Sequence, residues 1–218
     1  MVAQWLELKA WPGMPPHKWE TMSGKQRKYL VIHCTATPEG RKVTSDDIRA
    51  WHMMPLDVYN GKKYLHTIYK GVKYTSREKL PNESINGISI KKGHGRGWKQ
   101  VGYCKMIHLD GTEEILVPDN GDNIVDAWEI TNGATGINSE SMHVVYVGGM
   151  NATNTQPKDT RTKGQIASLL RVCLEELKQN KTIIIAGHNH FAAKACPSFD
   201  VTKWARESGF PLKNIFGC

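Results

Sequence analysis

Three residues of types that bind zinc lie at, or shortly after, the ends of apolar runs. His33 lies at the end of a run that begins at Tyr29, and His188 closely follows a second run. Cys196 lies eight residues after His188. Two imidazoles and one thiolate would give zinc three protein ligands and leave its fourth tetrahedral position for water. That arrangement is typical of catalytic rather than structural zinc.

Each of these residues also has an ordinary interpretation. A histidine at a strand end is commonly a hydrogen-bonded core or surface residue, and a lone cysteine is commonly a small buried hydrophobe. No HxxxH or CxxC motif links the three, and His190 competes with His188 as the second histidine ligand. Taken by themselves, the residue types and spacings are compatible with zinc and do not establish it.

The segments that carry the histidines are predicted to be strands. The apolar run Tyr29–Cys34 predicts a buried strand, Met142–Val147 predicts a second, and Thr182–Ala186 predicts a short third that leads to His188. Residues at strand ends are held rigidly and face the crevice in which ligands usually assemble.

Helices and turns complete the predicted fold. Thr44 with the acids after it predicts a helix start, and apolar residues spaced along 166–177 predict an amphipathic helix. Phe199–Glu207 is predicted as the last helix, and Asp110–Gly111 as the turn of a hairpin formed by Gly102–Leu109 and Glu114–Val117. The order of elements predicts an α/β fold: one domain with a central mixed β-sheet flanked by helices. A zinc site formed by the candidate ligands would lie in a surface cleft at strand ends.

Length and composition limit the number of domains and the cellular setting. A chain of 218 residues is long enough for one domain. Five cysteines without paired spacing disfavour a disulfide framework and favour synthesis in a reducing compartment. No run approaches about 18 apolar residues, so no transmembrane segment is expected. Residues 1–10 lack the apolar region of a signal peptide, so we expect a protein made in the cytoplasm without one.

The net charge of +8 is concentrated in one segment. Residues 55–101 hold ten Lys and Arg against three acids, and a basic surface attracts anionic partners. Four tyrosines lie among these charges, which suggests a basic, aromatic wall for an acidic polymer; they are Tyr59, Tyr64, Tyr69 and Tyr74. Single-stranded nucleic acid would suit the same composition, and so would a solvated basic hairpin with structural tyrosines.

The chain divides into an arm and a body. Residues 1–28 are rich in Trp and Pro and are predicted to be an arm packed on the body. Residues 29–218 are predicted to form the zinc-binding domain, with residues 55–101 as a basic insertion.

Three stretches resemble a known family. Val31–Thr37 followed by Ile48–His52 resembles the opening of type 2 N-acetylmuramoyl-L-alanine amidases, and Gly102–Tyr103 with the strand after it resembles a later part. Residues 187–190 and the string KACPSFD from Lys194 to Asp200 resemble the closing motif. The resemblance covers most of residues 29–207 in the right order. It extends to small phage lysozymes and, more distantly, to animal peptidoglycan recognition proteins.

The resemblance implies a set of functional residues. One catalytic Zn²⁺ would be bound by His33, His188 and Cys196, with Tyr103 and Lys194 as accessory catalytic groups. His188 is preferred over His190 because the family ligand lies eight positions before the cysteine. His190 is then expected to line the pocket.

The resemblance also implies a reaction and a setting. The protein would hydrolyse the amide between the lactyl group of N-acetylmuramic acid and L-Ala in bacterial peptidoglycan. It would act as a monomeric phage endolysin on the cell wall after membrane permeabilisation, with no nucleic-acid partner. A non-catalytic peptidoglycan-binding module is disfavoured because such relatives lack the cysteine ligand. A zinc deaminase is disfavoured because PCxxC and HxE are absent.

Overall fold

The computed structural model describes residues 24–218, so most of the arm predicted for residues 1–28 lies outside the described residues. The helices are α1 (Ser45–Met53), α2 (Lys163–Gln179) and α3 (Val201–Glu207). The strands are β1 (Lys25–Gln26), β2 (Tyr29–Cys34), β3 (Thr37–Pro38), β4 (Leu56–Asn60), β5 (Lys63–Tyr69), β6 (Val72–Tyr74), β7 (Ser84–Ile85), β8 (Ile88–Ser89), β9 (Lys105–Ile107), β10 (Glu113–Ile115), β11 (Ile124–Val125), β12 (Ser141–Tyr146), β13 (Gly149–Met150) and β14 (Ile184–Gly187).

A five-stranded sheet forms the centre of the fold, in the order β10-β9-β12-β2-β14. Strands β9, β12, β2 and β14 are mutually parallel where they pair, and β10 returns antiparallel to β9. The sheet is therefore mixed, and the predicted α/β class is confirmed. The β-branched, apolar composition of β2 and β12 fits their central positions, since both faces of such strands are covered.

Helices cover both faces of this sheet. On one face, Leu30 and Ile32 of β2 pack into a core with α2 and α3. On the other, Val145 of β12 packs with Ile48 of α1. The ends of the helices match their sequence signals: a capping box at Thr44 begins α1, and a second at Thr162 begins α2.

The basic segment 55–101 forms a substructure of its own beside α1. It contains the antiparallel sheet β4-β5-β6 and the two-stranded hairpin β7-β8. A small core joins it to the end of α1, where Met54 packs with Tyr69, Leu80 and Ile90. Tyr69 is only 2% exposed, and its hydroxyl donates to Glu83 Oε2 at 2.7 Å. Tyr69 is therefore a core residue, and its predicted place in an aromatic wall is wrong.

None of the helices within residues 24–218 has both the length and the apolar character that crossing a bilayer requires.

Candidate functional site

The register of two parallel strands brings His33 and His188 together. Ile32 of β2 pairs with Gly187 of β14, so the next residue of each strand is a histidine at the same edge of the sheet. The imidazole centroids lie 4.6 Å apart. His33 is 1% exposed and His188 is 8% exposed, so both rings are held by packing.

The loop after β14 returns Cys196 to these histidines. The amide of Asn189 donates to the carbonyl of Cys196 at 2.8 Å, which closes the loop at its base. The amide of Cys34 donates to Cys196 Sγ at 3.3 Å, and that sulfur lies 3.8 Å from His33 Nδ1. The last residues of β2 therefore position both His33 and the sulfur beside it.

This geometry suits a tetrahedral metal ion. The ligand atoms of His33, His188 and Cys196 all lie within 4.8 Å of one another, and no other such group occurs among residues 24–218. Zinc–sulfur and zinc–nitrogen bonds of standard length at a tetrahedral angle place the two ligand atoms about 3.6 Å apart. The observed 3.8 Å between sulfur and nitrogen is close to that value.

The electrostatics of the site also favour metal binding. Burial holds the pKa of His33 well below its usual range, and burial followed by the charge of Lys194 lowers the pKa of His188. Both imidazoles are therefore neutral near pH 7, the form that binds metals. A hydrogen bond with the Cys34 thiol and burial raise the pKa of Cys196 well above its usual value. A bound cation would reverse this effect, because a coordinating thiol is deprotonated.

Tyr103 and Lys194 both lie near this group. The Tyr103 ring lies 5.2 Å from that of His33, and burial beside Cys196 raises the pKa of its hydroxyl well above the usual range. The hydroxyl therefore stays protonated and can donate a hydrogen bond. Lys194 is exposed on the loop between His188 and Cys196. Its positive charge contributes to the lowered pKa of His188 and partly opposes the rise in the pKa of Cys196.

His52 of α1 fixes the backbone next to Tyr103. Its Nδ1 accepts from the amide of Gly102 at 3.0 Å, and its ring lies 5.2 Å from the Tyr103 ring. The helix is thereby joined to the segment that presents the tyrosine.

His143 is a site residue that the sequence-based reasoning missed. It lies on β12, is fully buried, and its Nδ1 lies 3.0 Å from His33 Nε2. Burial, followed by His188, lowers the pKa of His143 to about 3. A histidine inside the apolar run Met142–Val147 is the signal that could have revealed it, because a polar side chain there must find a partner.

His190 was expected to line the pocket, but its side chain lies elsewhere. Its ring stacks on Phe216 with a centroid separation of 4.8 Å and an interplanar angle of 14°. Its Nδ1 accepts from the amide of Gly187 at 3.2 Å, and its Nε2 lies 3.5 Å from the Thr202 hydroxyl. These contacts place the side chain in the packing beneath the C-terminal segment.

Comparison with known proteins identifies relatives among phage proteins. No protein-family model matches the chain. The endolysin of Klebsiella phage KP32 is 34% identical to it over 180 residues, which cover 83% of this chain and 86% of that protein. The endolysin of Escherichia phage T7 is 30% identical over 125 residues, which cover 57% of this chain and 77% of that protein.

Solved structures share the fold. The N-acetylmuramoyl-L-alanine amidase LysC from Clostridium intestinale matches with a TM-score of 0.50 at 16% identity, over 86% of this chain and 88% of that one. The Ph2119 endolysin from a Thermus scotoductus bacteriophage matches with a TM-score of 0.50 at 18% identity, over 87% of this chain and 89% of that one. At these identities the likeness concerns the fold alone.

Proposed function

The chain belongs to the phage endolysins, and we propose that it is a zinc-dependent N-acetylmuramoyl-L-alanine amidase of the amidase and peptidoglycan recognition protein superfamily. The reaction proposed is hydrolysis of the amide between the lactyl group of N-acetylmuramic acid and L-Ala. The enzyme would reach this bond after permeabilisation of the host membrane and lyse the cell.

The convergence of His33, His188 and Cys196 carries this proposal. Their ligand atoms lie within 4.8 Å of one another, and the three come from two strand ends and one loop. Three protein ligands leave a position open, which a catalytic zinc site needs. When bound, the ion would supply Lewis acidity toward a carbonyl oxygen and toward water.

Tyr103 and Lys194 would stabilise the charge that develops on the scissile carbonyl oxygen. The Tyr103 hydroxyl stays protonated because burial raises its pKa, so it can donate to an oxyanion. The Lys194 ammonium is exposed at the rim and can turn toward the same oxygen. Donors of this kind act where negative charge appears in the transition state.

The domain organisation is part of the proposal. Residues 29–218 would form the amidase domain, and residues 1–28 would be an arm packed on it. The insertion 55–101 would contact the peptidoglycan through its basic surface. Its exposed lysines and the exposed Tyr59 support this role, whereas Tyr69 serves the core.

Digestion of purified sacculi tests the reaction and the metal together. Wild type, EDTA-treated protein, EDTA-treated protein with added Zn²⁺, and Cys196→Ser are compared by product mass spectrometry and metal analysis. We expect released stem peptides with free L-Ala amino termini from the zinc-containing samples only. Cys218→Ser, which alters an exposed cysteine, is the matched control and should keep both zinc and activity.

Two results would contradict the proposal. Equal activity in zinc-free Cys196→Ser would refute the zinc mechanism. New reducing ends on the glycan, without free L-Ala amino termini, would assign the cleavage to a glycosidic bond instead.

A further inference from the structure

His143 lies where it can set the orientation of the first zinc ligand. His33 has two ring nitrogens with different neighbours. Its Nδ1 lies 3.8 Å from Cys196 Sγ and so faces the metal position, while its Nε2 lies 3.0 Å from His143 Nδ1. The contact joins neighbouring strands, since β12 pairs with β2 in parallel.

Strand geometry explains why the two rings meet. His143 is opposite Val31, and His33 is opposite Val145, so both histidines point to the same face of the sheet, two residues apart along the strands. A diagonal pair of this kind lies within reach of long or aromatic side chains.

Only one tautomer of the pair leaves His33 ready to bind a metal. The ligand nitrogen Nδ1 must carry no proton, so the proton of His33 must lie on Nε2. His143 Nδ1 then accepts that proton in a hydrogen bond, and His143 carries its own proton on Nε2. Metal-bound histidines usually donate their second N–H to such a partner, which fixes the tautomer and the ring orientation.

The surroundings of His143 fit this role better than a packing role. Its side chain is fully buried, and its Nε2 has no hydrogen-bond partner among the described residues. Burying an imidazole with one unpaired nitrogen is unfavourable compared with an aliphatic residue, and the neighbours Val144 and Val145 show which residue types pack well in this strand. The hydrogen bond to His33 is the interaction that an aliphatic residue would lose.

A glycine makes room for this ring. A Cβ at Gly133 would lie 2.4 Å from Cγ and from Nδ1 of His143, a separation that real atoms do not adopt. The loop can therefore pass directly over the imidazole only because residue 133 lacks a side chain. The backbone of His143 is held as well, since its carbonyl accepts from the amide of Cys104 at 2.8 Å.

We propose that His143 is a positioning residue for zinc binding. Its Nδ1 accepts a hydrogen bond from the Nε2–H group of His33, which leaves His33 Nδ1 unprotonated and directed at the ion. This inference rests on the proposed function, because it assigns a role toward the same metal. It adds a buried residue outside the ligand set whose removal should weaken zinc affinity.

A pair of nearly isosteric variants tests this role. His143→Asn keeps a carbonyl acceptor at the position of Nδ1, whereas His143→Leu fills the space without an acceptor. We expect zinc affinity, measured by competition with a chromophoric chelator, to fall about 10- to 100-fold in His143→Leu and to stay within a few-fold of wild type in His143→Asn. The increase in melting temperature on adding zinc should be clearly smaller in His143→Leu than in wild type, and nearly unchanged in His143→Asn.

Two further measurements do not depend on the folding of His143→Leu. Gly133→Ala should displace the His143 ring and reduce zinc affinity, although it alters no polar group. Long-range ¹H–¹⁵N NMR of the metal-free wild type should show His33 protonated at Nε2. A proton on Nδ1 instead would overturn the proposal.

The outcomes separate this inference from the amidase assignment. If wild type binds one zinc ion and the folded His143→Leu binds it equally tightly, the positioning role is wrong and the amidase proposal stands. If wild type binds no zinc, both fail.

Discussion

The ring of Tyr103 packs against His33 and His52, and the proposed mechanism assigns a role to its hydroxyl. Tyr103→Phe keeps the ring and removes the hydroxyl. We expect kcat on sacculi to fall about 100- to 1000-fold, because loss of one oxyanion donor has that effect. Zinc content should be unchanged. Tyr29→Phe is the control, because its ring packs on Phe191 and Phe216 at the other end of β2 from His33. Equal losses in both variants would disprove the role of Tyr103.

His52 predicts a pH dependence of stability. Burial, followed by the charge of Arg96, lowers its pKa to about 4. Between roughly pH 6.5 and pH 4 the unfolded chain binds a proton that the folded protein does not. Stability is therefore lost as the pH falls through this window, by up to about 3 kcal/mol from this residue.

Replacing His52 by asparagine isolates its contribution. His52→Asn keeps an acceptor for the Gly102 amide, which now bonds to His52 Nδ1, and does not titrate. Urea unfolding of the metal-free protein from pH 7 to pH 4.5 should show a smaller loss of stability in the variant. If the free energy of unfolding changes with pH equally in both proteins, His52 does not contribute to the pH dependence of stability.

The resemblance to a known family predicted that His33, His188 and Cys196 come together, as they do, but not how these residues are supported. The spacing from His188 to Cys196 could be recognised within one loop. The contact between His33 and His143 joins residues 110 positions apart in the chain, and it depends on which strands are neighbours. A single sequence does not reveal strand order, so this contact could not be predicted.

At the scale of elements, Arg77 holds the basic insertion together. Its Nε bonds to both oxygens of Asp57 at 3.0 and 2.8 Å. Its Nη1 donates to three carbonyl groups, those of Ile90, Lys91 and Gly93. One guanidinium thus joins β4 to the segment that follows β8.

Arg77→Lys should loosen this substructure. An ammonium cannot reproduce the planar set of donors, and the Asp57 carboxylate, only 7% exposed, would lose its paired bonds. We expect a loss of about 2–4 kcal/mol in the free energy of unfolding. Hydrogen exchange should accelerate within residues 55–101 and not in the central sheet. Arg206→Lys, at an exposed position on α3, is the control, and unchanged exchange in Arg77→Lys would refute this view.

Elements with strong local signals were predicted well. The strand at Tyr29–Cys34 agrees with its prediction, and the helix predicted around residues 166–177 is the central part of α2. The prediction for Phe199–Glu207 began too early, because Asp200 caps α3 and the helix begins at Val201. The insertion was harder to predict, since the burial of Tyr69 arises from contacts with Met54 and Leu80 that no local pattern contains.

At the scale of the whole molecule, the position of the positive charge should matter more than its amount. One variant replaces five exposed lysines of the insertion by glutamine: Lys62, Lys63, Lys73, Lys79 and Lys92. Its control replaces five exposed lysines elsewhere: Lys163, Lys178, Lys181, Lys203 and Lys213. The two variants have equal net charge, so a difference between them reports on location.

We expect the insertion variant to bind sacculi more weakly than the control, by roughly tenfold or more at low ionic strength. The difference should shrink as salt screens the remaining charges. Pull-down of the protein with insoluble sacculi across a salt series measures this. Equal binding by the two variants would show that the insertion does not guide the enzyme to its substrate.

The place of β2 between β12 and β14 determines when the proposed zinc centre can form during synthesis. The ribosome makes His33 first, but both neighbours of its strand, and two of the three proposed ligands, are synthesised more than about 100 residues later. A nascent chain can therefore hold no complete zinc site until residue 196 has left the exit tunnel and the sheet has closed around β2. Under the proposed function, the order of the strands alone would withhold wall-degrading activity from every shorter nascent chain.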